Sequence, residues 1–266
     1  MIYNYLIEKT MQKLKKINNY GLLVDLDGTI IQNDEFISTR VKKSIKKLSN
    51  NMPVSIVTGR GPQDVLKFSK LLNLYGPQYC ENGTSVVDAT SKKILDVSLI
   101  SDNISSKIIK EFIYSKMEYL VVSDGKTYIN SKEILKNVSS LVLSSKKQLE
   151  LDQFIKKYEK IINKYHLEFS TDENGNKFIN IHNNPLGKAK AYNHFKKFYN
   201  LISENIFFIG DGLNDLSIIS KCENSISMGN ADKKVKSKSK FITDSVYEDG
   251  VSNAIDNIIF PLIKAC

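Results

Sequence analysis

Two carboxylates flank a single residue in Asp25-Leu26-Asp27-Gly28-Thr29, directly after the apolar run Gly21-Leu22-Leu23-Val24. A strand that stops there aims both acids from one loop at one point. Gly28 lets the backbone turn sharply and approach a ligand. A second apolar run, Ile206 to Ile209, leads into Gly210-Asp211-Gly212-Leu213-Asn214-Asp215. If a helix starts here, Asp211 and Asp215 fall on one side of its first turn. Two such strands side by side would gather four carboxylates, which repel one another unless a cation holds them. An all-oxygen donor set suits magnesium, a hard cation. Each segment by itself also fits a plainer role: an acidic turn with Asp27-Gly28 at its bend, or helix capping by Asp211 or Asn214.

Two further stretches carry groups suited to a phosphate. In Val57-Thr58-Gly59-Arg60, Thr58 offers a hydroxyl and Gly59 an accessible backbone N–H. Lys188, in Pro185-Leu186-Gly187-Lys188, stands near the start of a helix. A lysine there opposes the helix dipole, which favours a reason other than helix stability.

The elements that must position these groups follow an α/β rhythm at both ends of the chain. Gly21–Asp27 reads as a buried parallel strand, Val41 to Leu48 as a helix, Pro53 to Val57 as a second buried strand and Gln63 to Leu72 as an amphipathic helix. The rhythm resumes with a helix over Ala189 to Tyr199 and strands at Asn205 to Gly210, Ser225 to Met228 and Phe241 to Thr243; a last helix begins near Gly250. The middle of the chain differs. It pairs hairpins, one around Asp88 to Lys93 and one at Asn174-Gly175, with helices over Ile104 to Met117 and Asp152 to Tyr165. The layout is core, insertion, core: residues 1–86, an α+β cap over 87–183, and residues 184–266.

Taken along the chain, the four motifs, Asp25 to Thr29 first, Thr58-Gly59-Arg60 second, Lys188 third and Gly210 to Asp215 last, resemble the haloacid dehalogenase superfamily of phosphatases. The insertion between the second motif and the lysine resembles its Cof-type, sugar-phosphatase-like subclass. Asn82-Gly83, Met228-Gly229-Asn230-Ala231 and Glu248-Asp249-Gly250-Val251 add to the likeness. The resemblance implies a Rossmann-like parallel-sheet core under the cap and a magnesium-dependent phosphatase acting on small phosphate monoesters, a sugar phosphate or related metabolite. It implies Asp25 as nucleophile, Asp27 as general acid and base, and magnesium on Asp25, the Asp27 carbonyl and Asp211, with Asp215 orienting the metal's waters. Thr58, Gly59, Lys188 and Asn214 would hold the phosphoryl group. Asn82 would reach the substrate, and Arg60 would either contact it or brace the motif loops. A phosphomutase of the same superfamily and a phosphoglycolate-type phosphatase are the alternatives.

Composition narrows the field. The 266 residues are 41% hydrophobic and 25% charged, enough for a core and too apolar for a disordered chain. Thirty-eight basic against 29 acidic residues give a net charge of +9, but only Arg40 and Arg60 are arginines. Nucleic-acid readout leans on arginine, so small phosphorylated anions are the better partners and no nucleic acid is expected. The cap carries fifteen lysines against thirteen acids, too balanced for a basic clamp. No apolar run is long enough to span a membrane. Met1 to Tyr20 reads as an amphipathic helix rather than a signal peptide. Cys80, Cys222 and Cys266 are odd in number and widely spaced, which fits a reducing cytoplasm. His166, His182 and His194 form no local metal motif and are read as structural. The assembly state is not legible.

Overall fold

The computed structural model describes residues 19–32, 35–115, 117–171 and 175–264. Nearly all of the helix expected over Met1 to Tyr20 lies outside them, as do Asn174 and Cys266. The chain begins with β1 (Gly21–Val24), α1 (Thr39–Ser49), β2 (Val54–Ile56) and α2 (Pro62–Leu72). Leu22, Leu23 and Val24 are wholly buried, as a central strand covered on both faces requires. Each such side chain contributes roughly 1.5–3 kcal/mol through burial. The Ser38 hydroxyl caps α1 by accepting from Val41 N at 3.1 Å, and Val41, Ile45 and Leu48 turn one stripe inward. Pro62 opens α2 with its fixed φ, and Asn73 in the left-handed region closes it.

An antiparallel sheet of β3 (Pro77–Cys80), β4 (Ser85–Asp88) and β5 (Ile94–Val97) follows. The expected cap boundary at residue 87 falls inside β4. This hairpin sides with the core: β4 pairs with β3, and Val86 and Leu95 join the core's apolar cluster. A separate apolar cluster begins at Ile100 and runs to Ile181. It holds together α3 (Asp102–Tyr114), β6 (Glu118–Ser123), β7 (Lys126–Ile129), β8 (Val138–Ser145), α4 (Gln148–Ile162), β9 (His166–Thr171) and β10 (Lys177–His182). The sheet order is β7-β6-β8-β10-β9, antiparallel throughout. Its strands alternate. Tyr119, Val121, Leu141, Leu143, Ile179 and Ile181 pack under the two helices, so Leu120, Val122, Val142, Phe178 and Asn180 point the other way.

The chain then returns to the core with α5 (Ala189–Phe198), β11 (Ile206–Gly210), α6 (Leu216–Ile219), β12 (Asn224–Ser227), α7 (Lys233–Lys236), β13 (Phe241–Ile242) and α8 (Gly250–Ala254). The core sheet is parallel in the order β13-β12-β11-β1-β2. Thus the strands that precede the two acidic motifs are neighbours, and all five carboxyl ends face the cap's uncovered side.

Candidate active site

β1 and β11 run in register, Leu23 beside Phe208 and Val24 beside Ile209, and Asp25 N donates to Ile209 O at 2.9 Å. Both acidic motifs therefore leave the sheet at one level. Carboxylate oxygens of Asp25, Asp211 and Asp215 lie within 4.8 Å of one another. Beyond Asp25 the chain folds back at once, with Ile30 N and Ile31 N both donating to Leu26 O. Gly28 makes that bend at φ 71°, and a Cβ there would collide with the Asp211 carboxylate. Thr29 Oγ1 donates to Asp211 Oδ1 at 2.8 Å, and Asn230 Nδ2 reaches Gly28 O at 2.8 Å. Asp215 folds under its own loop: its Oδ2 accepts from Asp211 N and Gly212 N, each at 2.9 Å.

Lys188 lies beneath this group with no exposure. Its Nζ donates to Asp25 Oδ1 and to Asp215 Oδ1, both at 2.7 Å. Burial alone would pull the ammonium's pKa down, but Asp215 and Asp25 outweigh it and hold the charge firmly on. One cation does not offset three acids. Burial first, then the Asp215 charge, pushes Asp25 well above the ordinary carboxylate range, against the pull of Lys188. Burial and Asp215 likewise raise Asp211 to about 7, opposed by the Thr29 hydrogen bond. Such crowding is what an oxygen-ligated divalent cation relieves, so these residues fit magnesium.

The remaining site residues ring the opening. Asp27 is exposed and gripped by Arg60, from Nε at 3.0 and 3.1 Å and from Nη2 at 2.7 Å. Arg60 also holds Glu35 at 2.6 Å. Arg60 thus ties the Asp27 and Glu35 side chains together while still lining the cavity. Thr58 is buried at the end of the β2 segment, its hydroxyl accepting from Arg60 N at 3.2 Å. Asn82 and Asn214 meet at 3.3 Å, and Asn82 N donates to Thr58 O at 2.8 Å. Thr58, Gly59, Asn82 and Asn214 all line one cavity of about 910 Å³ with Asp25, Asp27 and Asp211. Lys188 reaches it only through Asp25. The cap's uncovered face forms the opposite wall with Leu120, Val122, Val142, Phe178, Asn180 and Glu168.

Thr29, Asn230 and Glu168 enter the site without having been singled out as site residues. Thr29 and Asn230 fall inside quoted motifs, which was their only signal. Glu168 gave none, because polar alternation on a hairpin also describes a solvated surface. His166 and His182, read separately, come together beside it, with ring centroids 5.1 Å apart. His194 Nδ1 stands 3.0 Å from the Tyr79 hydroxyl.

A family model described as haloacid dehalogenase-like hydrolase matches residues 22–140 and 131–255. The chain belongs to that family. A haloacid dehalogenase-like hydrolase from Bacteroides thetaiotaomicron shares the fold, with a TM-score of 0.79 at 18% identity over 90% of this chain and 99% of that one. A subclass IIB sugar phosphatase gives 0.72 at 17% over 89% and 98%. In sequence, a 5-amino-6-(5-phospho-D-ribitylamino)uracil phosphatase of Bacillus subtilis is 25% identical over 90% of this chain and 97% of its own length. A phosphoglycolate phosphatase of Methanobrevibacter smithii is 23% identical over 91% and 100%. Within the haloacid dehalogenase-like hydrolases the chain is a Cof-type phosphatase, a phosphoric monoester hydrolase. Among its described residues no helix is long and apolar enough to cross a membrane.

Proposed function

We propose that the protein hydrolyses the phosphate monoester of a small metabolite in two half-reactions through an aspartyl-phosphate on Asp25. The observation that carries this reading is the placement of Asp25: a buried carboxylate on the cavity floor, backed by Lys188 at 2.7 Å, with Asp27 at the rim. Attack by an Asp25 oxygen forms a P–O bond while the ester P–O bond breaks, and Asp27 gives its proton to the departing alkoxide. Asp27 then takes a proton from a water that attacks the same phosphorus, releasing inorganic phosphate and restoring Asp25. Thr58, Gly59 and Asn214 orient the phosphoryl oxygens. Lys188 supports the floor charge from below. Asp25, Asp211 and the Asp27 carbonyl would hold magnesium, with Asp215 behind them; when bound, the ion offsets the negative charge that nucleophile and phosphoryl group share.

The wall opposite the acids bears on the leaving group. It is apolar and amide-bearing, and the basic side chain among the residues lining the cavity, Arg60, is committed to Asp27 and Glu35. Glu168 adds an acid to that wall. This favours an uncharged body with hydroxyls and a flat or apolar part over a carboxylate such as that of phosphoglycolate. A sugar phosphate or a phosphoribitylamino-pyrimidine, the kind of compound the Bacillus subtilis relative is named for, meets that description.

The test is phosphate release from para-nitrophenyl phosphate, with magnesium and with chelator. Asp25→Asn is expected to abolish it while circular dichroism stays unchanged. Asp27→Asn is expected to trap labelled phosphate on the protein. Sustained release by Asp25→Asn overturns the reading. A substrate panel of hexose phosphates, the phosphoribitylamino-uracil and phosphoglycolate then ranks leaving groups.

A further inference from the structure

Outside the aspartate cluster, three potential ligands converge on the cap face that meets the core. β9 and β10 pair with His166 directly opposite His182, and Glu168 lies two residues along on the same face. One atom from each of the three falls within 4.8 Å of the others. His182 Nε2 is 3.6 Å from Glu168 Oε2, and His166 Nε2 is 4.0 Å from Glu168 Oε1. These spacings are too long for hydrogen bonds. They run to the two oxygens of one carboxylate and are a few tenths of an ångström longer than the ~3.3 Å edge of a tetrahedron whose ligands stand ~2.0–2.1 Å from a zinc ion.

A second observation points to a ligand. His182 is 1% exposed, yet neither ring nitrogen has a hydrogen-bond partner, and the buried Glu168 Oε2 has none either. Three orphaned polar atoms at one spot are unusual, since a buried donor or acceptor left unpaired costs about 1–3 kcal/mol. The plain alternative, a pair of packed imidazoles, leaves all three unexplained. The cluster also touches the core. A Cβ on Gly187 would stand 3.3 Å from Glu168 Oε1 and 3.5 Å from His166 Nε2.

We propose that His166, Glu168 and His182 bind a divalent transition-metal ion of the zinc type, tying β9 to β10 above the turn that delivers Lys188. Two imidazoles and a carboxylate are a borderline nitrogen–oxygen set, matched to zinc and poorly matched to magnesium. With three protein ligands, the fourth position stays open to water or to a group in the adjoining cavity.

The test uses the full chain, stripped with chelator and dialysed against zinc in a large excess of magnesium, so that the aspartate cluster is already filled. One zinc per chain is expected to survive dialysis. His166→Ala, at a partly exposed position, and Glu168→Gln are expected to lose it with folding verified by circular dichroism, whereas Asp211→Asn keeps it. Cobalt(II) loading is expected to give the visible d–d bands of a four-coordinate site, absent from His166→Ala. Failure of the wild-type chain to retain zinc overturns the proposal. So does retention that survives both His166→Ala and Glu168→Gln but not Asp211→Asn, which would put the ion on the aspartates. Neither result depends on phosphatase activity.

Discussion

Arg60 holds Asp27 through two nitrogens, Nε at 3.0 Å and Nη2 at 2.7 Å from Asp27 Oδ1. The pair lies at the cavity mouth, with the arginine side chain 24% and the aspartate 53% exposed. At that exposure an ion pair adds at most ~1 kcal/mol to stability. Its geometry, however, fixes where Asp27, the proton donor of the proposed reaction, stands. Arg60→Ala is therefore expected to lower kcat by roughly a hundredfold, the loss typical of a misplaced catalytic group, while the urea midpoint moves little. Arg60→Lys, which lacks the planar fork, should recover only part of the rate. Steady-state kinetics and urea unfolding on the same preparations check both expectations.

Lys188 has the opposite profile. It is wholly buried, and its removal leaves Asp25 and Asp215 facing each other without a counter-charge. Breaking a buried pair this way costs about 3–5 kcal/mol. Lys188→Met should show that loss near neutral pH and a smaller one at pH 5, because burial raises the Asp25 carboxyl and it takes up a proton more readily there. Lys188→Met combined with Asp215→Asn should be less destabilised than Lys188→Met alone. Urea unfolding at the two pH values reads all three outcomes.

The raised carboxylates set a pH trend for the metal-free protein. Asp211 moves from 3.8 to about 7 on folding, so between those values the folded chain holds a proton that the unfolded chain has released. Its contribution to stability is present below the lower value and falls as pH rises through the window. Asp211→Asn should therefore gain on the wild type as pH climbs from 4 to 8 in chelator. Saturating magnesium should close that gap by stabilising the wild type alone. Thermal melts over this range, with and without the metal, supply the check.

Gly28 bends where no side chain fits. Alanine there would hold a left-handed φ at about 1–2 kcal/mol and press its Cβ into the Asp211 carboxylate. The displaced acid weakens the metal ligand set. The magnesium concentration for half-maximal activity should rise about tenfold, equivalent to ~1.4 kcal/mol. Magnesium titration of phosphate release measures it.

Much of this site's layout was readable from residue order, because two buried apolar runs, Gly21 to Val24 and Ile206 to Ile209, each lead straight into a pair of acids. That Asp25 and Asp211 converge needed one more fact, the pairing of β1 with β11, which apolar runs of similar length do not specify. The direction of Lys188 was hidden for the same reason: its partners are 163 and 27 residues away. β7 leaves little trace in the sequence, because Lys126–Ile129 is an exposed edge with little apolar alternation. A hairpin's kind of pattern points β4–β5 to the insertion, whereas Val86 and Leu95 pack with the core cluster. The His166–Glu168–His182 grouping depends on the cross-strand register of β9 and β10, which a local pattern does not encode.

The ammonium under Asp25 travels with the polypeptide. A reactive acid that brings its own neutralising partner can be assembled during synthesis, ahead of any ion or phosphoester. Scarcity of either would then idle the catalyst in its finished shape rather than unravel it, and turnover could resume without a refolding step.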